Sequence, residues 1–365
     1  MKVRVIAMYL PQYHPIPLND EWWGNGFTEW TNVASAKPLF RGHYQPRIPA
    51  DLGFYDLRLP ESREAQAKMA RDAGVEGFMY WHYWFGKGKQ LLERPFQEVL
   101  ESGKPDFPFC LGWANHSWSK KTWTAKNGGD SKFFLLEQTY VESEFDDHFY
   151  DVLPAFKDPR YITVDGKPFF LIYNVLAMPN VKMFIDRWND LAKANGLNGI
   201  HFVGNIMGHV AEMRREDVLN SGVNATVMNN LFTAETECDG KLLTYWKKFK
   251  TRKLGLGPER YDYKKVLSHM RTKYDKLENV YPCVIPQLDR TPRAGKEAVI
   301  LYNSTPELFG VYVKKTIEIV KNKEPEHRII VINAWNEWGE GNYLEPDQKF
   351  GKGYLNALRD ALFEF

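Results

Sequence analysis

The sequence predicts a single (β/α)8 barrel that spans all 365 residues. Three observations support this fold class. Short β-branched or aromatic runs recur eight times, segments with helical periodicity separate them, and no linker, repeat or low-complexity tract divides the chain. Strands that alternate with helices pair in parallel, and eight such units close a barrel. The alternative is an open doubly wound sheet, but the glycine-rich phosphate turn that it would need after its first strand is absent from the sequence.

The eight runs are the predicted barrel strands. In chain order they cover residues 4–9, 77–83, 109–113, 169–173, 201–205, 225–228, 282–287 and 329–333. Alternation in the second run leaves two arrangements open, because strand residues point in turn to the barrel interior and to the helices. Either Trp81 and Tyr83 face the interior, or the set that includes His82 and Trp84 does.

Helical periodicity predicts the connecting helices. The clearest covers residues 181–195, where apolar side chains recur at i, i+3, i+4, i+7 and i+10, with Asn180 able to cap its start and Gly196 its end. Another opens at Thr305-Pro306, an N-cap hydroxyl followed by proline, and runs to about residue 323. Further helices are predicted at residues 61–73, 90–101, 144–156, 211–220, 263–276 and 352–363.

Charge and composition exclude several classes of protein. The chain has 48 Lys plus Arg and 46 Asp plus Glu, so its net charge of +2 lacks the basic surplus of nucleic-acid-binding proteins. No stretch approaches the roughly 20 apolar residues of a membrane-spanning helix, and no signal peptide is recognisable. We therefore expect a soluble cytoplasmic protein with Cys110, Cys238 and Cys283 as reduced thiols. The sequence leaves its oligomeric state open.

The histidines and basic runs predict neither a metal nor another cofactor. Seven of the nine histidines are scattered between His14 and His209, without an H-E-x-x-H motif or an i, i+4 pair. The basic segment at residues 247–253 is interpreted as solvated surface, and contact with an acidic polysaccharide is the alternative.

Aromatic, amide and acidic residues follow the predicted strands. In a barrel they would meet at the carboxyl-terminal face, under two long inserts at residues 11–60 and 232–258. Aromatic faces can stack on sugar rings, and polar groups can hydrogen-bond to the sugar hydroxyls, so this set predicts a carbohydrate site. The alternative is that the tryptophans fill the core. Trp30 and Trp81 are predicted to be core residues of this kind. The candidate binding residues are His14, Trp23, Glu29, His82, Tyr83, Trp84, Trp113, Asn115, His116, Trp118, Tyr173, Asn205, Gln287, Asp289, Arg290, Trp335, Asn336 and Trp338.

Glu337 and Glu340 are the candidate catalytic pair. They lie three residues apart directly after the last strand. Glycosidic cleavage usually needs one carboxyl group to protonate the leaving oxygen and a second on the other side of the anomeric centre. Trp335 and Trp338 could shield the pair and raise one pKa. Two solvated loop glutamates are the alternative interpretation.

Seven motifs resemble the WbsX-type, glycoside hydrolase family 99-like proteins. They are Tyr-Leu-Pro-Gln-Tyr-His-Pro at 9–15, Glu-Trp-Trp-Gly-Asn-Gly-Phe-Thr-Glu-Trp-Thr-Asn at 21–32, Gly-His-Tyr-Gln-Pro at 42–46, Asp-Leu-Gly-Phe-Tyr-Asp at 51–56, Tyr-Trp-Phe at 83–85, Gly-Lys-Pro-Phe-Phe-Leu-Ile-Tyr at 166–173 and Asn-Ala-Trp-Asn-Glu-Trp-Gly-Glu-Gly-Asn-Tyr-Leu-Glu-Pro at 333–346. The resemblance implies a (β/α)8 barrel and a bacterial carbohydrate-active protein related to retaining endo-acting mannosidases.

The resemblance also implies roles for the pair. Glu337 would deprotonate the 2-hydroxyl of the sugar, which attacks the anomeric carbon and forms a 1,2-anhydro sugar. Glu340 would protonate the leaving oxygen and then activate water. The sequence departs from the hydrolase pattern at Gly339, which replaces a histidine and leaves a donor near Glu340 missing. His116 stands where glutamate is expected, and residues 288–293 carry Leu and Arg where Trp and Asn are usual.

Three functions remain open from the sequence. A retaining hydrolase acting on an α-linked, mannose-like glycan is the leading hypothesis. A glycosyltransferase of surface-polysaccharide synthesis is the second, although the sequence has no Asp-x-Asp motif of the kind that commonly holds a metal-bound nucleotide diphosphate. The third is a glycan-binding protein without catalysis, which would have no use for paired carboxylates.

Overall fold

The computed structural model describes residues 2–119, 134–208 and 213–364. Eight parallel strands close into a barrel, which confirms the predicted fold class. Closure is direct, because β1 pairs with β2 on one side and with β8 on the other, where Arg4 lies opposite Ile329. The barrel strands are β1 Arg4–Tyr9, β2 Gly77–Trp84, β3 Phe109–Trp113, β4 Lys167–Ile172, β5 His201–Met207, β6 Ala225–Asn229, β7 Val280–Val284 and β8 Ile329–Ile332.

The α-helices of the described residues surround the barrel and cover its carboxyl-terminal face. They are α1 Pro17–Trp23, α2 Glu29–Ser35, α3 Pro60–Asp72, α4 Arg94–Ser102, α5 Phe145–Phe156, α6 Val181–Ala194, α7 Arg215–Asn220, α8 Leu231–Asp239, α9 Lys241–Arg252, α10 Tyr263–His269, α11 Thr291–Ala294, α12 Pro306–Val320 and α13 Gly353–Phe363. Short 3-10 turns lie at Glu142–Glu144, Val175–Ala177, Gly295–Glu297, Pro325–His327 and Trp338–Glu340.

Short strands outside the barrel build the loops. Glu259–Asp262, Val299–Tyr302 and Leu288–Asp289 form a three-stranded sheet after β6 and β7, next to the site described below. The others are Gln90–Leu91, Trp118–Ser119, Phe134–Leu136, Thr163–Val164, Asn336–Glu337 and Asn342–Tyr343.

The barrel strands are buried on both faces. Every residue of β2, β3, β6, β7 and β8 is buried, since side chains point in turn to the barrel interior and to the helices. Continuous apolar runs of this kind are typical of parallel sheets covered by helices. This is why the strands were recognisable in the sequence.

Two predicted helices are shorter than expected. The segment predicted to start at residue 90 pairs first as a strand, with Leu91 opposite Tyr83, and α4 begins only at Arg94. Helix α10 ends at His269, and Asp275 then accepts hydrogen bonds from the backbone N–H and the hydroxyl of Thr272. Such local bonds compete with helix hydrogen bonding. Part of the helix predicted at 211–220, and His209, lie outside the described residues.

The predicted helix caps have different outcomes. Thr305 caps α12 as expected, because its hydroxyl accepts the backbone N–H of Leu308. Asn180 does not cap α6 with its side chain, which donates instead to the carboxylate of Glu142. The insert at 232–258, expected only as a polar stretch, is mostly helical and forms α8 and α9.

The three cysteines are free thiols. Cys110 and Cys283 are buried in barrel strands, whereas Cys238 is partly exposed. None of the helices in the described ranges combines the length and apolar character needed to cross a bilayer.

Candidate active site

A cavity of about 360 Å³ opens at the carboxyl ends of the barrel strands. Each of the eight barrel strands, or the loop that follows it, contributes to its wall, as expected for the functional face of this fold. The lining residues are Met8, Leu10, Trp81, Tyr83, Ala114, His116, Tyr173, Asn205, Met207, Asn229, Arg290, Arg293, Asn333, Glu337 and Glu340.

Glu337 and Glu340 lie in this wall and share one guanidinium group. Nη1 of Arg293 is 2.8 Å from Oε1 of Glu340 and 4.0 Å from Oε2 of Glu337. Nη2 of Arg290 is 3.1 Å from the same oxygen of Glu340. Two cations therefore contact Glu340, whereas Glu337 lies at the limit of ion-pair distance from one.

The two carboxyl groups have pKa values that are shifted in opposite directions. Burial, followed by the charge of Glu340, raises the pKa of Glu337 to about 7. Burial also acts to raise the pKa of Glu340, but Arg290 and Arg293 outweigh it and hold that pKa below its ordinary value. Near neutral pH the unliganded site therefore exchanges a proton at Glu337 and keeps Glu340 ionised. Paired carboxyl groups with separated pKa values are typical of acid–base sites.

A buried ion pair holds Arg293 in place. Arg293 donates to both oxygens of Glu29, with Nε at 3.1 Å and Nη2 at 2.6 Å, and Glu29 is fully buried at the start of α2. A Cβ on Gly339 would collide with the Glu29 carboxylate and lie 3.0 Å from Nε of Arg293. Gly339 is therefore required for this pair. Arg293 thereby places a guanidinium donor beside Glu340, although the histidine of the hydrolase pattern is absent at position 339.

A second buried carboxylate anchors the loop after β8. Glu345 accepts hydrogen bonds from Trp335 Nε1 at 2.9 Å, Trp338 Nε1 at 2.6 Å, Gln66 Nε2 at 2.7 Å and the Tyr55 hydroxyl at 2.9 Å. Burial raises its pKa to about 7, against the effect of these donors. Because both tryptophans are held here, Glu345 orients the segment that carries Glu337 and Glu340.

Asn336 attaches the same loop to the end of β1. Its Oδ1 accepts the backbone N–H of Leu10 at 2.7 Å, and its Nδ2 donates to the Leu10 carbonyl at 3.0 Å. Trp335, Asn336 and Trp338 were predicted to contact a ligand. The structure corrects this, because their polar atoms are used inside the protein and none of the three lines the cavity.

Seven of the predicted site residues meet at the cavity. They are Tyr83, His116, Tyr173, Asn205, Arg290, Glu337 and Glu340. Burial, followed by the charges of Glu340 and Glu337, raises the pKa of Tyr173 to about 12. Burial lowers the pKa of His116, so its imidazole is neutral near pH 7. The wall thus offers uncharged donors and acceptors around the charged pair.

The second barrel strand takes the arrangement that points Trp81 and Tyr83 into the cavity. His82, Trp84 and Trp113 consequently face the helices, which corrects the prediction that they line the site. Nε2 of His82 is 2.9 Å from Nε2 of His148 in α5, and Trp84 stacks on the same imidazole at 4.6 Å. The indole N–H of Trp113 donates a hydrogen bond to the carbonyl oxygen of Trp84 at 2.8 Å.

Four further predicted residues lie in the loops beside the cavity without lining it. His14 is buried with Nδ1 3.1 Å from the Pro11 carbonyl oxygen, and burial lowers its pKa to about 4. Asn115 bonds to the backbone of Asn174 in both directions. Trp23 and Trp118 pack against each other at 6.5 Å, and Trp118 also packs on Tyr83 at 5.3 Å.

Gln287 and Asp289 lie on the other side of the loop after β7. Asp289 accepts from Gln45 Nε2 at 2.9 Å, and its Oδ2 lies 2.8 Å from His43 Nε2. Burial acts to raise the Asp289 pKa, but His43 and Arg47 outweigh it and lower that pKa to about 2. These two residues line a separate cleft. Glu29 does not line the cavity and contacts it through Arg293.

Sequence reasoning missed three important residues. Arg293 was noted only as the end of the segment 288–293 that departs from the family pattern, and its partner Glu29 is 264 positions away. Trp81 was assigned to the core, and only the observed alternation brings it to the cavity. Glu345 was part of a quoted motif, but two of its four donors, Tyr55 and Gln66, come from a distant segment. Within the described ranges, no group of three His, Cys, Asp or Glu side chains is arranged to hold a metal.

A family model and two related proteins match the sequence of this chain. A family model described as glycosyltransferase WbsX matches residues 5–358. Two proteins from strains B100 and ATCC 33913 of Xanthomonas campestris pv. campestris, both called uncharacterized protein WxcX, are 34% identical over 361 residues. The match covers 98% of this chain and 49% of each relative, so the chain spans about half their length.

Solved structures share the fold at low sequence identity. A glycoside hydrolase-like protein superimposes with a TM-score of 0.60 at 14% identity, covering 99% of this chain and 94% of the other. The GH99 endo-α-mannosidase from Bacteroides thetaiotaomicron, in complex with bis-tris propane, has a TM-score of 0.59 at 15% identity, covering 99% and 97%. At this identity the likeness establishes the barrel fold.

Proposed function

The chain belongs to the WbsX family, and we propose that it is a retaining glycoside hydrolase acting on an α-linked, mannose-like glycan. The observation that carries this proposal is the pair Glu337 and Glu340. Their carboxyl groups lie in one cavity wall at the barrel's carboxyl-terminal face, with pKa values shifted apart. One group that exchanges a proton near neutral pH beside one that stays ionised is suited to acid–base catalysis of glycosidic cleavage.

The rest of the cavity wall supports a sugar as the ligand. Trp81, Tyr83 and Tyr173 offer aromatic surface, and Asn205 and His116 offer polar groups. A wall of aromatic side chains with a few convergent polar groups is the usual form of a small-molecule site. Sugar rings need this combination, because their C–H faces stack on aromatic rings while their hydroxyls hydrogen-bond.

The proposed first step forms a 1,2-anhydro sugar. Ionised Glu337 takes the proton of the 2-hydroxyl, and the 2-oxygen attacks the anomeric carbon as the glycosidic C–O bond breaks. The proton on Glu340 goes to the leaving oxygen. A base with a pKa of about 7 suits this role, since it is ionised in about half of the molecules at neutral pH and is a stronger base than an ordinary carboxylate.

The proposed second step opens the anhydro ring. Ionised Glu340 takes a proton from water, the water oxygen attacks the anomeric carbon, and the C1–O2 bond breaks. Glu337 returns its proton to the 2-oxygen. Two inversions at the anomeric carbon give net retention. A sugar without a free 2-hydroxyl trans to the leaving group is not a substrate for this route.

The unliganded site is in the protonation state of the second step. Its proton resides on Glu337 rather than Glu340, because Arg290 and Arg293 stabilise the Glu340 carboxylate. The first step needs that proton on Glu340. We propose that bound substrate displaces Arg290, whose side chain is 41% exposed, whereas Glu29 retains Arg293.

The same two arginines favour glycosyl transfer as a second candidate function. A phosphate leaving group needs no proton from Glu340, and guanidinium groups bind phosphate oxygens well. A donor sugar linked to phosphate would place that group beside Arg290. Transfer to an acceptor hydroxyl would follow instead of hydrolysis.

One panel of substrates separates the candidates. Purified wild type, Glu337→Gln and Glu340→Gln are incubated with α-linked manno-oligosaccharides, bacterial polysaccharides and nucleotide sugars, and products are identified by mass. The hydrolase predicts release of sugar by wild type alone. Product that forms only with a nucleotide sugar would establish the transferase. Normal turnover by either variant would contradict the proposed mechanism.

A further inference from the structure

A second, larger cleft lies beside the cavity and is strongly basic. It has a volume of about 870 Å³. Its wall is formed by the insert between β1 and β2, helix α9, the three-stranded sheet that follows β6 and β7, and the loop before α13. Among the described residues, six cationic side chains and one carboxylate, that of Asp289, line it. The cations are Arg41, Arg47, Lys247, Lys250, Arg260 and Lys349.

Two of these cations are neutralised within the protein. Arg47 lies 3.6 Å from Asp289, and Lys247 forms an ion pair with Asp239. The others are Arg41, Lys250, Arg260 and Lys349, and no carboxylate of the described residues lies within ion-pair distance of them. These four charges face a concave surface, which focuses the field and attracts anions.

Aromatic rings hold two of the four cations in position. The Arg260 guanidinium carbon lies 4.6 Å from the centroid of the Phe40 ring, and Nζ of Lys349 lies 4.9 Å from that of Tyr44. Such contacts orient a cation without neutralising it. In addition, Tyr302 lines the cleft with 41% of its surface exposed, so its ring is open to a sugar.

The cleft and the catalytic cavity share the loop after β7. Asp289 lines the cleft, and the next residue, Arg290, lines the cavity. Nη1 of Arg47 donates at 3.2 Å to the carbonyl of Gly341, the residue after Glu340. The basic cleft is therefore built against the segments that carry the catalytic pair.

We propose that the basic cleft binds anionic sugar residues of the glycan, bearing carboxylate or phosphate groups, so that the substrate is an acidic polysaccharide. This inference rests on the proposed glycan-active function and adds the substrate class. Lysine and arginine pair with both kinds of anion, and the open ring of Tyr302 favours a sugar over a free ion. The basic segment at 247–253 was interpreted from the sequence mainly as solvated surface. Two of its residues, Lys247 and Lys250, line the cleft and would contact the anionic sugar.

The test measures binding by calorimetry with probes matched in length. Wild type is titrated with trigalacturonate, with a phosphorylated mannotriose and with neutral mannotriose, at low and at high salt. The expected result is that at least one acidic probe binds more tightly than the neutral one, and that salt weakens its binding. Which acidic probe binds more tightly separates a carboxylate from a phosphate substrate.

Variants assign that binding to the cleft. Lys250→Ala combined with Arg260→Ala should weaken the acidic probe about tenfold, or about 1.4 kcal/mol. Lys241→Ala removes an exposed cation from the same helix outside the cleft and should leave binding unchanged. Equal affinity for acidic and neutral probes, or equal behaviour of the double and control variants, overturns the proposal. Tighter binding of uridine diphosphate than of either glycan, lost in the double variant, also overturns it.

Failure of this inference is distinguishable from failure of the proposed function. Cleavage of neutral α-mannoside with no cleft-dependent binding of acidic probes refutes the acidic substrate alone. Cleft-dependent binding of acidic probes with no cleavage of any glycan refutes the hydrolase and leaves the cleft as a binding site.

Discussion

Replacing Gly339 with alanine is expected to break the buried pair of Glu29 and Arg293. The added Cβ would collide with the Glu29 carboxylate and approach Nε of Arg293 at 3.0 Å. Gly339 does not adopt the left-handed backbone region, so any effect comes from this contact and not from backbone strain. Glu29 is fully buried, and breaking a buried pair typically costs about 3–5 kcal/mol. The free energy of unfolding should fall by about that amount.

Urea denaturation at pH 7 measures this effect. Gly310→Ala is the matched control, because its Cβ would meet Ala357 at 3.4 Å, an ordinary packing distance, inside helix α12. It should change stability by about 1 kcal/mol or less, in the favourable direction. A double-mutant cycle sharpens the test, since Gly339→Ala should cost little in a Glu29→Ala background. Equal unfolding midpoints for Gly339→Ala and Gly310→Ala would refute the role assigned to Gly339.

The remaining predictions concern protonation. First, kcat/KM should fall as pH rises through about 7, because the first step needs one proton on the pair and its loss from Glu337 leaves none to move to Glu340; a pH–rate profile without this fall would argue against the proton shared by the pair. Second, Glu340→Gln should lose most activity on a natural glycan but much less of the first step on an aryl glycoside, whose leaving group needs no acid; equal losses on both would contradict the acid role. Third, burial and Glu259 raise the pKa of Glu235 to about 8. A raised acid pKa stabilises the fold below its unfolded value of 4.5, and this contribution is lost as pH rises through about 8. Glu235→Gln should flatten the fall in urea stability between these pH values, whereas the partly exposed control Glu237→Gln should not, and parallel curves for the two would contradict the shift.

The barrel could be predicted because its signal is local. Parallel strands buried on both faces are continuous apolar runs, and each of the eight was recognisable within a few residues of its bounds. The family was recognisable for a related reason, since its motifs are contiguous, and the family model confirms it. The candidate catalytic pair lay in such a motif, three residues apart after a strand.

The rest of the site depends on contacts between distant segments. Alternation alone could not decide whether Trp81 or Trp84 faces the cavity, because both faces of β2 are buried. Arg293 resembles any surface arginine until Glu29 is placed beside it. The basic cleft is likewise assembled from segments between residues 40 and 350, and only Lys247 and Lys250 stood within a basic run of the sequence.

An anomer-resolved digest tests the central claim most directly. Proton NMR follows wild type and Glu337→Gln acting on a reducing-end-blocked α-manno-oligosaccharide, and on its analogue lacking the 2-hydroxyl at the cleaved residue. The proposed mechanism predicts that wild type first releases the α-anomer from the parent compound, and that neither the variant nor the 2-deoxy analogue gives product. Initial release of the β-anomer, or comparable cleavage of the 2-deoxy analogue, would contradict it.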